Sequence, residues 1–100
     1  MYDRLDRKMS KKLYDKHSNV FAFLERVLNS CKTQTQLELA TKWAVNYLFD
    51  LESKEMIGKD LAWQLSIMHY MKFRRDIIRE ISERKEQEIL DFNDNDVVEL

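Results

Sequence analysis

The sequence predicts an all-α fold: a small helical bundle in which an antiparallel hairpin, about 20–31 and 35–53, packs on a long C-terminal helix of about 60–90. Three observations carry this. The chain of 100 residues holds one glycine and no proline, where average usage would supply about seven and five. Hairpin turns and phosphate-cradling loops draw on those residues, so β architecture and Gly-rich nucleotide loops are both disfavoured. Hydrophobic residues are 44% of the chain and charged residues 35%, a balance that suits one folded core. Apolar residues recur at helical spacing through most of the chain.

The first segment, about Tyr2 to Lys16, is rich in charge, with Leu5, Met9 and Leu13 on one narrow stripe. It reads as a basic N-terminal helix or arm, residues 1–16. Ser18 or Asn19 is expected to cap the next helix, because a short polar side chain can accept from free N–H groups there. Val20, Phe23, Leu24, Val27, Leu28 and Cys31 then follow at i, i+3, i+4, i+7, i+8 and i+11, the apolar face of an amphipathic helix. Cys31 falls on that face and is expected to be a buried thiol.

Thr33-x-x-Gln36 and Thr35-x-x-Glu38 both have the spacing of a capping box, so a new helix should start there. Its inner face reads Leu37, Ala40, Ala44, Tyr47, Leu48 and Leu51, with Trp43 at the border. A helix-turn-helix reading of residues 35–46 fails on two counts. Ala44 stands where such a turn wants glycine. Asp50 and Ser53 stand where the second helix would need apolar residues. One continuous helix is expected instead.

Gly58 supplies a left-handed helix stop, and Asp60 can cap the last helix from Leu61. Apolar residues crowd nearly every side from Leu61 to Phe73, so burial all round is expected, with His69 as a packed core histidine. A helix reaching Leu90 spans about 45 Å, against a radius of gyration of about 13 Å for a compact chain of this size. It should overhang, bend or meet a second chain. From Phe92 on there is no helical period. Residues 91–100 therefore read as an acidic, disordered tail, and residues 1–90 as the single domain.

The charge is lopsided. Net charge is −1. Residues 1–16 carry six bases and three acids, while residues 82–100 carry seven acids and two bases. The single cysteine rules out an internal disulfide scaffold. With no long apolar run and no signal-type leader, the expected setting is cytoplasmic, without membrane attachment.

No catalytic motif is present. His17 and His69 are far apart in sequence and have no His or Cys at metal-ligand spacing. Asp91-x-Asn93-x-Asn95 imitates the start of a calcium loop, but Asp96 occupies the place of the obligatory glycine. Neither enzyme activity, cofactor nor metal is expected. Two surfaces stand out on the last helix. Lys72, Arg74, Arg75 and Arg79 lie beside Tyr70 and Phe73, a mix that can hold phosphates and stack bases, or meet an acidic partner. Trp63, Ile67, Tyr70, Arg74, Ile77 and Ile81 step by four and three, the a/d spacing of a two-stranded seam. On this reading Leu61, Leu65 and Met68 face the hairpin, and Trp63, Ile67, Tyr70, Ile77 and Ile81 form a homodimer contact.

The stretch Val27-Leu28-Asn29-Ser30-Cys31-Lys32-Thr33, followed by Gln36-Leu37, Ala40 and Trp43, resembles a pattern of small all-helical accessory proteins of bacteriophages and mobile elements. The resemblance covers residues 27–43 and implies no site residues. The function expected is a non-enzymatic protein-interaction module, a phage-encoded modulator or inhibitor of a partner protein. The alternative is a nucleic-acid-binding protein that uses the basic residues of the last helix and the N-terminal arm.

Overall fold

The computed structural model describes the backbone of residues 2–99 and the side chains of residues 7–92. It is an all-α bundle of three helices: α1 (Tyr2–Asn29), α2 (Gln34–Met56) and α3 (Leu61–Glu99). The 39 residues of α3 make a rod of about 58 Å, which matches the longest dimension of the molecule, 60 × 23 × 19 Å. The radius of gyration is 16.8 Å, so the chain is elongated around α3.

The turns follow their chemistry. At the start of α2, the Gln36 N–H donates to Thr33 Oγ1 at 3.2 Å, and Gln36 Oε1 accepts from the Thr33 N–H at 3.3 Å. The reciprocal box satisfies donors that a helix start leaves unpaired. Ile57 (φ −62, ψ 128) and Gly58 (φ 75) form a type II turn after α2, closed by the Lys59 N–H donating to Met56 O at 3.2 Å. The Trp63 N–H then donates to Asp60 Oδ1 at 2.9 Å, capping α3. Both turns fall where the sequence places them, and α2 is continuous.

Two elements depart from expectation. The break at Ser18–Asn19 does not occur: α1 is one helix of 28 residues. Ser and Asn cost a helix interior only about 0.5–0.7 kcal/mol each. The buried stripe Met9, Leu13, Phe21, Leu24 and Leu28 runs straight through them. The last helix continues well past 90, to Glu99. Side chains of the acidic segment from 93 on lie outside the described residues.

Cross-helix pairs set the topology. Arg75 meets Glu52, Thr41 meets Ser82 and Gln34 meets Glu86, so α2 and α3 are antiparallel. Lys16 meets Glu55 and Phe23 meets Trp43, so α1 and α2 are antiparallel as well. It follows that α1 and α3 run in the same direction. Both α1 and α2 pack extensively on α3 and only lightly on each other. The expected hairpin therefore exists in sense but not as the tightest interface.

That pairing explains which residues are buried. Because α1 leans on α3, its inner face is centred on Phe21, Leu24 and Leu28, and Phe23 turns outward. In α2, Leu37, Ala44 and Leu48 are buried while Tyr47 is half-exposed. In α3 the inner stripe is Ile67, Tyr70, Met71, Ile78, Ile81 and Ile89. Leu61, Leu65, Met68 and Phe73 are exposed, so the expectation of burial all round was wrong. His69 is also on the surface. It lies two residues, about 200° of helix rotation, from Ile67, and a core on one side of α3 cannot reach both. Cys31 is buried as expected, its thiol donating to Val27 O at 3.4 Å.

Candidate interaction surface

The a/d seam on α3 is real, but it faces this chain's own helices. Ile67 is 0% exposed, Tyr70 and Ile81 are buried, and Trp63 and Ile77 pack partly buried against the same core. The homodimer contact expected at these five residues is therefore corrected: α1 and α2 already cover them. The assignment of Leu61, Leu65 and Met68 to the hairpin is reversed for the same reason. Burial pushes the Tyr70 phenol above its ordinary value even with Arg74 beside it.

The basic residues of α3 do not form one open cluster. Arg75 Nη1 donates to Glu52 Oε1 at 2.9 Å, and its guanidinium lies 3.9 Å from the Phe49 ring centroid. Arg74 lies 4.1 Å from the Phe21 ring centroid, with Glu25 at 3.9 Å. Both side chains are about nine-tenths buried. Lys72 and Arg79 are exposed and share Asp76, at 3.2 and 3.5 Å. Two internal ion pairs and one shared carboxylate leave little positive field for a phosphate backbone.

The surface that sequence reasoning missed lies between α1 and α2. Phe23 from α1 meets Trp43 from α2 edge-on, with centroids 6.1 Å apart, and Tyr47 stands one turn along at 6.1 Å from Trp43. The three rings remain 48%, 43% and 39% exposed. With Asn19, Val20 and Leu24 they line a groove of about 230 Å³. This volume is below the ~300–1,000 Å³ of small-molecule pockets. The light α1–α2 contact is what opens the groove: both helices use their best apolar faces on α3. Phe23 and Tyr47 were each assigned to buried faces on spacing. The usable signal was that apolar residues on α1 and α2 exceed what one buried face can hold.

A charged cluster also joins α1 to α2. Glu55 Oε1 accepts from Lys16 Nζ at 2.7 Å and lies 3.3 Å from His17 Nε2. The His17 and Glu55 side chains are only 12% and 15% exposed, and the imidazole meets Phe21 edge-on at 6.2 Å. Burial raises the Glu55 carboxyl, but hydrogen bonds and charge from Lys16 and His17 outweigh it and hold the carboxyl below its ordinary value.

Among the described residues there is no group of three metal-ligating side chains and no helix long and apolar enough to cross a membrane. No protein-family model matches the chain, and neither a curated protein nor a solved structure shows significant similarity to it.

Proposed function

We propose that this chain is a non-enzymatic interaction module that binds a partner protein through the α1–α2 aromatic groove. In the cell it would act as a small modulator or inhibitor, of the kind phage accessory proteins provide, working in the cytoplasm. The observation that carries the reading is the Phe23–Trp43–Tyr47 cluster. Three rings held on rigid helices, Trp43 packed against both Phe23 and Tyr47, stay 39–48% exposed. Trp and Tyr are the residues most often found at binding hot spots, because they bury large area at small entropic cost. Contiguous exposed apolar patches on small proteins commonly mark contact sites.

The test is affinity capture from lysate of the source cell. Wild type should retain one stoichiometric protein that survives nuclease treatment. Trp43→Ser should lose it while keeping the wild-type helical circular-dichroism signal. Recovery of nucleic acid alone, or retention undiminished by Trp43→Ser, would overturn the reading.

A further inference from the structure

We infer that the groove takes a second copy of this chain, lying antiparallel alongside the first; this rests on the reading of the groove as the contact site and names its occupant. The first argument is position. The Gln34–Glu86 hydrogen bond and the Lys16–Glu55 pair mark where α2 begins and ends along its neighbours. Trp43 and Tyr47 straddle the middle of the stretch between Gln34 and Glu55. Past Lys16, α1 runs on for 14 residues, 2–15, to its start at Tyr2. Past Glu86, α3 runs on for 13 residues, 87–99, to its end at Glu99. These overhangs are about 21 and 20 Å long. They lie at opposite ends of the molecule, because α1 and α3 run in the same direction. The aromatic patch is thus midway along a 60 Å rod with an arm of similar length at each end. A two-fold axis across the rod at this patch brings the α1 arm of each copy to the α3 overhang of the other.

The second argument is charge. Asn19, Val20, Phe23, Leu24, Trp43 and Tyr47 line the groove. None of them is charged, so nothing in it repels its own image. The two ends of the rod are opposite in sign. Residues 1–16 carry six bases and three acids, and residues 82–100 carry seven acids and two bases. Lys12 and Lys16 are engaged inside the chain, over the Trp63 ring and with Glu55. Arg7, Lys8 and Lys11 have no ion-pair partner among the described residues. At the acidic end Glu86 and Asp91 accept from the neutral amides of Gln34 and Gln87, at 3.3 and 3.0 Å, which leaves their charge in place. A parallel pair sets base against base and acid against acid, whereas the antiparallel pair sets each arm against the opposite sign. Area points the same way. The exposed parts of the three rings amount to about 300 Å², short of the ~800 Å² per partner of a standard interface. An occupant that closes the gap runs along much of the 60 × 23 Å side of the rod, and a second copy has that length.

The test is the association of the full-length protein. In sedimentation equilibrium at micromolar concentration and low salt, wild type should run at twice the chain mass of 12.2 kDa. Its dissociation constant should rise several-fold between about 0.05 and 0.5 M salt. Trp43→Ser should be monomeric with the wild-type helical circular-dichroism signal, and Tyr47→Glu serves as a second variant with the same expectation. Charge reversal reads the orientation. Arg7→Glu/Lys8→Glu/Lys11→Glu and Glu86→Lys/Glu88→Lys/Asp91→Lys should each weaken the homodimer. Mixing the two should restore a one-to-one dimer, because both junctions then join opposite signs, and Trp43→Ser in both chains should abolish it. A wild-type monomer throughout, a dimer undiminished by Trp43→Ser, or reversal variants that fail to pair with each other overturns the inference. If the chain is monomeric while lysate capture of a different protein depends on Trp43, the contact site stands and only the second copy falls.

Discussion

Replacing Arg75 with leucine leaves the Glu52 carboxylate facing the α2–α3 interface with no cation beside it. The two side chains are 9% and 14% exposed and joined at 2.9 Å. Removing one partner of a buried pair typically costs 3–5 kcal/mol, most of it the penalty of the orphaned charge. Residual solvent contact on Glu52 places this case at the low end, about 3 kcal/mol. For a domain of this size that lowers Tm by roughly 12–24 °C. The double variant Glu52→Leu/Arg75→Leu removes the orphan and puts apolar surface against Phe49, so it should return to within about 1 kcal/mol of wild type. Urea unfolding followed at the helical circular-dichroism band measures all the variants in one cycle. Equal destabilisation of the single Arg75→Leu and the double variant would refute the argument, because the loss would then lie in the arginine stem's packing. A single-variant loss under about 0.5 kcal/mol would show that the pair behaves as a solvated surface contact.

Three further outcomes follow from the same geometry. The Glu55 carboxyl sits below its ordinary value when folded. Its stabilising contribution is therefore present above the unfolded value of about 4.3 and is lost as pH falls through the folded value. In urea titrations across that window, Glu55→Gln should flatten this part of the acid limb, and an unchanged limb would rule out Glu55 as its source. Gly58→Ala puts a Cβ into open space but at φ 75, so only backbone strain should appear, costing roughly 1–2 kcal/mol in chemical denaturation; a neutral result would mean the turn relaxes. Thr33→Ala removes the acceptor of the capping box and should lower stability by about 1 kcal/mol, read as a shift in urea midpoint at constant slope.

The local features were the legible ones. Thr33 with Gln36, Gly58, and Asp60 each act on their own backbone neighbourhood, so their chemistry shows in the sequence without knowledge of the fold. The all-α class was legible for the same reason. What depended on partners was not. Phe21 and Phe23 are two residues apart, and only the choice of α3 rather than α2 as the main neighbour decides which is buried. The stripe Trp63, Ile67, Tyr70, Ile77 and Ile81 was recognised as a seam, but spacing cannot say whether a seam meets its own chain or another. Arg74 and Arg75 read as a surface patch because their acidic partners, Glu25 and Glu52, lie on other helices. The aromatic groove was hidden most fully, since it is made of residues left over after each helix has turned its best face to α3.

That arrangement also fixes an order of events at the ribosome. The element on which both other helices lean is synthesised after both of them. While residues 1–60 emerge, α1 and α2 have little to offer each other. Met9, Leu13, Leu24 and Leu28, and then Leu37 and Leu48, have no lasting cover until Ile67, Met71 and Ile78 leave the exit tunnel. Translation proceeds at roughly 5–20 residues per second, so the apolar stripes of the first two helices stay uncovered for seconds in every molecule made. The native bundle is thus closed from the C-terminal side, and a nascent chain halted before α3 carries the sticky surfaces of the finished protein without the rod that sequesters them.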